Sequence, residues 1–149
     1  KTDKSMLSME GKYLVFALGK QEFGINISNV REIIGRMPIR SMPGTPPFVK
    51  GVISLRDRVI PVMELRLRFG MGEIEATERS CIIVLEHMAD GVVTNVGVIV
   101  DSVTEVLEIK TSEIEDTPFF GAGIDTTYIL AMAKKEGGVK ILLDMERLL

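Results

Sequence analysis

The stretch FGINISNVREII, residues 23–34, has a counterpart further along the chain in VGVIVDSVTEVL, residues 96–107. Laid over one another without a gap, Gly24 falls on Gly97, Val30 on Val103 and Glu32 on Glu105. Each copy sets a capping residue three positions before a glutamate, Asn29 with Glu32 and Ser102 with Glu105, which is a helix start signal. The first copy therefore predicts a short helix around Val30–Ile34. The second is richer in β-branched residues, which favour a single turn or a bulged strand in its place.

A second match follows in the same order and at a similar spacing. VIPVMEL (59–65) lies over VKILLDM (139–145), with Glu64 on Asp144. Each acid precedes a short amphipathic segment, predicting helical turns over Glu64–Phe69 and Asp144–Leu149. The two matches describe one duplicated module, roughly 11–80 and 81–149, behind a flexible segment 1–10. Strand exchange between the copies is compatible with this pattern.

The rest of the chain alternates in the manner of strands. Tyr13–Leu18 and Phe23–Ile27 flank Gly19-Lys20-Gln21 as a β-hairpin, and CIIVLEHMADGVVTNVGVIV repeats the arrangement around Ala89-Asp90-Gly91. A third hairpin, YILAMAKKEGGVKILLDM, turns over Lys134–Gly138. In VISLRDRVIP (52–61), Arg56-Asp57-Arg58 aligns with Glu136-Gly137-Gly138, so it too reads as a hairpin tip. Asp57 replaces a glycine there, and aspartate tolerates the left-handed backbone better than most residues. Modules this small bury little surface alone. The expected fold is therefore mainly β: two small barrels packed on each other along an apolar seam, with short helices.

Composition narrows the function. The chain is 46% hydrophobic and 5% aromatic, without tryptophan, so the core is aliphatic. A net charge of −3, two tyrosines and no basic block argue against nucleic-acid binding. No apolar run approaches the roughly 18 residues of a membrane span, and nothing marks the chain for export. With one histidine, His87, and one cysteine, Cys81, no classical zinc set can assemble. Cys81 sits in the apolar run CIIVL and reads as a small buried hydrophobe. GAG at 121–123 precedes no clear helix and reads as a loop, and there is no Gly-x-Ser-x-Gly elbow. Glu73, Glu75, Glu78, Glu113, Glu115 and Asp116 lie in polar connecting stretches and read as solvated. No catalytic constellation, metal site or cofactor site emerges.

What remains is surface. MPGTPPFVKG (42–51) holds Phe48 in a proline-stiffened loop, where proline lowers the entropy lost on docking. Ile27, Val30, Ile33 and Ile34 are too many to point into one small barrel, so the surplus suits a seam or a groove for a partner helix. On composition alone, Arg56 and Arg58 are a solvated turn.

Four runs carry a resemblance: FALGKQEFGINISNVREIIG, PFVKGVISLRDRVIPVMELRLRFG, VGVIVDSVTEVL and the closing ILLDMERLL. In this order, over roughly Gly11 to Leu149, the chain closely resembles the CheW family of bacterial chemotaxis coupling proteins. The resemblance implies two SH3-like five-stranded barrels, no catalytic activity and no cofactor. It implies a cytoplasmic adaptor bridging chemoreceptor tips to the regulatory domain of the histidine kinase CheA, within membrane-associated arrays but without inserting into the membrane. The family's receptor groove maps onto Ile27, Val30, Ile33 and Ile34 with Val103 and Leu107. Its Asn-Leu-Arg-Gly signature maps onto Ser54-Leu55-Arg56-Asp57, where Leu55 and Arg56 match and Ser54 and Asp57 depart. The match makes Arg56 a functional position. Ile39, Arg40, Pro43 and Phe48 are the candidate kinase contacts. Beyond the resemblance, Arg56 and Glu32 are expected to form a charge-assisted hydrogen bond that fixes the short helix against the hairpin. A CheW-like module within a larger kinase, or an adaptor fused to a receiver domain, is the alternative reading.

Overall fold

The computed structural model describes residues 9–116 and 127–148. The GAG loop at 121–123, most of the segment 1–10 and Leu149 lie outside the described residues. Eleven strands are described: β1 Gly11–Leu18, β2 Gln21–Asn26, β3 Val30–Ile34, β4 Val49–Leu55, β5 Arg58–Glu64, β6 Cys81–Ala89, β7 Val92–Val100, β8 Ser102–Ile109, β9 Ile114–Glu115, β10 Ile129–Lys135 and β11 Gly138–Leu143. Two four-residue helices, α1 Leu65–Arg68 and α2 Met145–Leu148, follow β5 and β11.

The hairpins form where turn residues allow them. Gly19 has φ 62, which opens a two-residue turn between Leu18 and Gln21. Asp90 (φ 52) and Gly91 (φ 76) turn β6 into β7, and Arg56 (φ 49) with Asp57 (φ 65) turns β4 into β5. Positive φ at both central residues is the turn whose twist matches that of the strands it joins. Arg58 already belongs to β5, so the tip is Arg56-Asp57 alone.

The strands form two sheets, ordered β8-β1-β2-β11-β10-β9 and β3-β6-β7-β5-β4. The fold is mainly β with short helices, as expected, and its two sheets, of six and five strands and not closed, are consistent with the expected SH3-like pair. The compact units also divide the chain differently from the sequence repeat. One comprises residues 1–27 and 104–149, the other 28–103. Each sheet combines the leading hairpin of one copy with the remaining strands of the other. In the second unit the β6–β7 hairpin is flanked by β3 and by β5-β4, while in the first the β1–β2 hairpin is flanked by β8 and by β11-β10.

The duplication survives this exchange in detail. Gly24 pairs in parallel with Leu142, and Gly97 with Val62, so corresponding glycines oppose corresponding aliphatics. A Cβ at Gly24 would sit 3.0 Å from Leu142 Cδ2, and one at Gly97 2.9 Å from Ile82 Cγ2. A side chain at either site would crowd its aliphatic neighbour, more so at Gly97. Glu64 Oε1 likewise accepts from the Arg66 amide at 3.3 Å, as Asp144 Oδ1 does from the Glu146 amide at 3.0 Å, each capping its short helix.

Each unit has its own core. Tyr13, Ile109, Ile114, Ala131, Ala133 and Leu142 pack in the first, and Ile53, Ile60, Val62 and Val84 in the second. The Phe16 and Phe23 rings, directly paired across β1 and β2, stack with centroids 5.6 Å apart. Lys140 is buried and donates to Glu22, its neighbour across the β11–β2 pairing.

Gly51 marks the tightest backbone approach. Arg40 N donates to Val52 O at 2.9 Å and Val52 N to Arg40 O at 2.8 Å, bringing the connecting chain against β4. Gly51 has φ 145, and a Cβ there would lie 2.0 Å from Arg40 O. Gly51→Ala is expected to cost about 2–4 kcal/mol, since backbone must move and the bridge must open. A lower urea midpoint at unchanged slope would show it; a native midpoint would contradict the packing.

Candidate functional site

The predicted helix at Val30–Ile34 is a strand. Ile27–Asn29 form one 3-10 turn, and β3 follows, paired antiparallel with β6. The residues are β-branched at Val30, Ile33 and Ile34, and the β6 edge supplies the ladder that a helix there would forgo. The second copy is likewise a strand, β8, so neither capping box forms.

Strand geometry redistributes the groove residues. Cross-strand partners share a face. Val30 opposes Leu85 and Ile33 opposes Ile83, whereas Glu32 opposes Val84 and Ile34 opposes Ile82, with a register shift between Val30 and Glu32. The shift puts Val30 and Ile33 on one face, and Ile33 is 44% exposed there. Ile34 turns the other way, onto the Ile53 and Val84 core. Ile34 is thus a packing residue in this unit and does not join Val30 and Ile33.

The remaining groove candidates sit as follows. Ile27 is exposed in the 3-10 turn, Val103 is half-buried at the start of β8, and Leu107 packs against the Tyr13 core of the first unit. Ile27 and Leu107 belong to the first unit, and Val30, Ile33, Ile34 and Val103 to the second.

Arg56 Nη1 donates to Glu32 Oε1, so the structure brings this pair together, though on a strand rather than a helix. The Glu32 side chain is 19% exposed and Arg56 is 73% exposed. An arginine so open to water holds its partner for less than about 1 kcal/mol. A double-mutant cycle of Glu32→Ala and Arg56→Ala is expected to return a coupling of that size, read from urea midpoints; zero coupling would mean the contact holds nothing.

A second pin escapes sequence reading altogether. Arg31 Nη1 donates to Glu86 Oε2 at 2.7 Å, and Asn29 Nδ2 donates to Glu86 O at 3.2 Å. Together these hold the 3-10 turn and β3 against β6. The partners are far apart in sequence and no local pattern links them.

Of the other candidates, Arg40 makes the backbone bridge to Val52, and Ile39 packs partly against the Ile53 core. Pro43 is exposed. Phe48 is half-buried beneath the Arg68 guanidinium, 5.3 Å from its ring centre, and its carbonyl accepts from Glu64 N at 2.7 Å. The proline loop is thus fixed at both ends and open in the middle.

Several carboxylates read as solvated are paired. Lys135 donates to Glu113 at 2.8 Å, Lys134 to Glu115 at 3.1 Å, and Lys50 to Glu73. The Lys135 bond, ahead of the Lys110 amide, holds Glu113 below the usual carboxylate range. Arg66 grips Asp101 with two bonds, Nε to Oδ1 at 2.9 Å and Nη2 to Oδ2 at 2.6 Å. Burial raises the Cys81 thiol pKa, which disfavours the thiolate. Among the described residues no His, Cys, Asp and Glu cluster could hold a metal, and no helix is long and apolar enough to cross a membrane.

Burial also raises the Glu64 carboxyl, outweighing the Arg66 amide bond. A raised carboxyl binds its proton more tightly folded than unfolded. Its charge therefore costs stability above the folded pKa, and that cost disappears below the ordinary value of 4.5. Glu64→Gln keeps an oxygen for the Arg66 amide and is expected to raise the melting temperature near neutral pH. In acid, where Glu64 is protonated anyway, the gain should vanish. A lower melting temperature at neutral pH would contradict this.

The described residues thus form two β-sheet units, with a partly exposed apolar strand face beside charge-paired side chains. The CheW-like domain family model matches residues 12–149. The chain is 34% identical over 138 residues to the chemotaxis protein CheW of Klebsiella aerogenes, covering 93% of this chain and 81% of that one. It is 34% identical over 141 residues to CheW of Rhizobium meliloti, covering 94% and 88%. The solved structure of the scaffolding protein TtCheW from Thermoanaerobacter tengcongensis aligns with a TM-score of 0.81 at 35% identity, over 94% of this chain and 88% of that one. The chain belongs to the CheW-like family, whose members named here are chemotaxis and scaffolding proteins.

Proposed function

We propose that this protein is a non-catalytic chemotaxis adaptor that couples chemoreceptor signalling tips to the regulatory domain of the histidine kinase CheA. It would work in the cytoplasm, recruited to membrane-associated receptor arrays through those partners. The observation that supports this most is the Val30 and Ile33 face: apolar, partly open to water, and carried on a strand whose Arg31 and Glu32 both make ion pairs. A rigid apolar face accepts a partner helix with little ordering cost. Arg56, held by Glu32 on the side of β3 away from Val30 and Ile33, would supply a separate charged contact. Ile39, Arg40, Pro43 and Phe48, on the connection that β4 anchors, are the proposed kinase side.

Titration against a soluble receptor tip and, separately, against the CheA regulatory domain tests the reading. Saturable binding to both is expected. Binding to neither would leave the family membership standing and remove the adaptor role.

A further inference from the structure

The second unit contains a cavity of about 250 Å³ that the adaptor reading does not use. Its inner wall is apolar, formed by Met37, Ile39, Ile82 and Ile99. Its outer wall is the acidic segment around Glu73–Ala76, which sequence reading leaves as a solvated linker. Two ties hold that wall in place. Lys50 on β4 donates to Glu73, and Met71 N donates to Arg66 O at 2.8 Å beside the Arg66–Asp101 fork.

Glu64 lines this space and is only 6% exposed. Its Oε1 takes the Arg66 amide at 3.3 Å, the one hydrogen bond this side chain makes among the described residues, and Oε2 keeps access to water. The cavity's other charges are mostly spent on each other, Lys50 with Glu73 and Arg66 with Asp101. That leaves Glu64 and Glu75 against Arg36, an excess of one negative charge. A carboxylate on so buried a residue is costly to keep charged, and an ammonium group entering the cavity supplies both a counter-charge and a hydrogen bond.

We propose that the cavity is a binding site for a small monocationic amine with a compact apolar body, its ammonium on Glu64 Oε2 and its body against Ile39, Ile82 and Ile99. The volume is below that of drug-sized sites, which limits the ligand to a single ring or a short branched chain. The site lies within one unit and does not depend on the adaptor reading.

Benzylamine is a suitable probe, titrated into the full chain while the isoleucine methyl resonances are followed by NMR. Saturable shifts at Ile82 and Ile99 are expected, with benzyl alcohol and benzoate binding at least about tenfold more weakly. Glu64→Gln should weaken benzylamine by about tenfold or more and leave benzyl alcohol unchanged. Ala76→Leu, on the exposed outer wall, should narrow the space and weaken benzylamine without altering the carboxylate, which gives a second reading if Glu64→Gln does not fold. The proposal is overturned by unsaturable shifts, by equal binding of the alcohol, or by undiminished benzylamine binding in a folded variant.

Discussion

Residues 11–80 and 81–149, produced as separate chains, are each expected to show no cooperative thermal transition, and to regain one when mixed. These are the two copies of the duplicated module, so the sequence presents them as natural domains. The sheets say otherwise. The first half retains the β1–β2 and β4–β5 hairpins and β3, but β2 also pairs with β11, β5 with β7, and β3 with β6. The second half retains the β6–β7 hairpin, whose Ile82–Leu85 segment is buried on both faces, yet it loses β3 on one side and β5 on the other. Isolated hairpins are marginal in water at best. A cut at 28 and 104 instead leaves the five-stranded sheet whole. Circular dichroism melts decide the matter, and a sharp melt from either half alone would contradict the exchange.

The second large effect concerns function. Val30→Asp is expected to weaken receptor-tip binding by about 100-fold or more while kinase binding stays within about twofold. Val30 is half-buried and shares its face with Ile33. A carboxylate there must be desolvated against any apolar partner helix, and central apolar contacts carry most of an interface's energy. Ile33→Asp, at a more exposed position, should produce the same loss with less risk to folding. Circular dichroism must show both variants folded. If both folded variants bind receptor tips normally, the groove lies elsewhere.

The sequence disclosed the repeat, the hairpins and the short helices because each has a local signature. Gly19, Asp90-Gly91 and the Glu64 and Asp144 caps act within a few residues of themselves. It misled at Val30–Ile34, where Asn29 and Glu32 imitate a capping box while the actual arbiter is the distant edge of β6. Periodicity could not disclose the strand exchange, because two copies of one pattern fit either pairing equally well. The expected meeting of Glu32 and Arg56 came from placing a charged turn near a charged short helix, and the contact forms although that segment is a strand. Arg66–Asp101 and the cavity around Glu64 arise from the parallel pairing of β5 with β7, to which no short-range pattern points.

The most direct test of the adaptor reading is co-capture. Immobilised receptor tips would be offered the CheA regulatory domain with and without this protein, at a kinase-domain concentration that gives no retention alone. Retention of the kinase domain is expected to rise with added protein and to be lost with Val30→Asp. Binding of each partner singly, with no retention of one through the other, would contradict it.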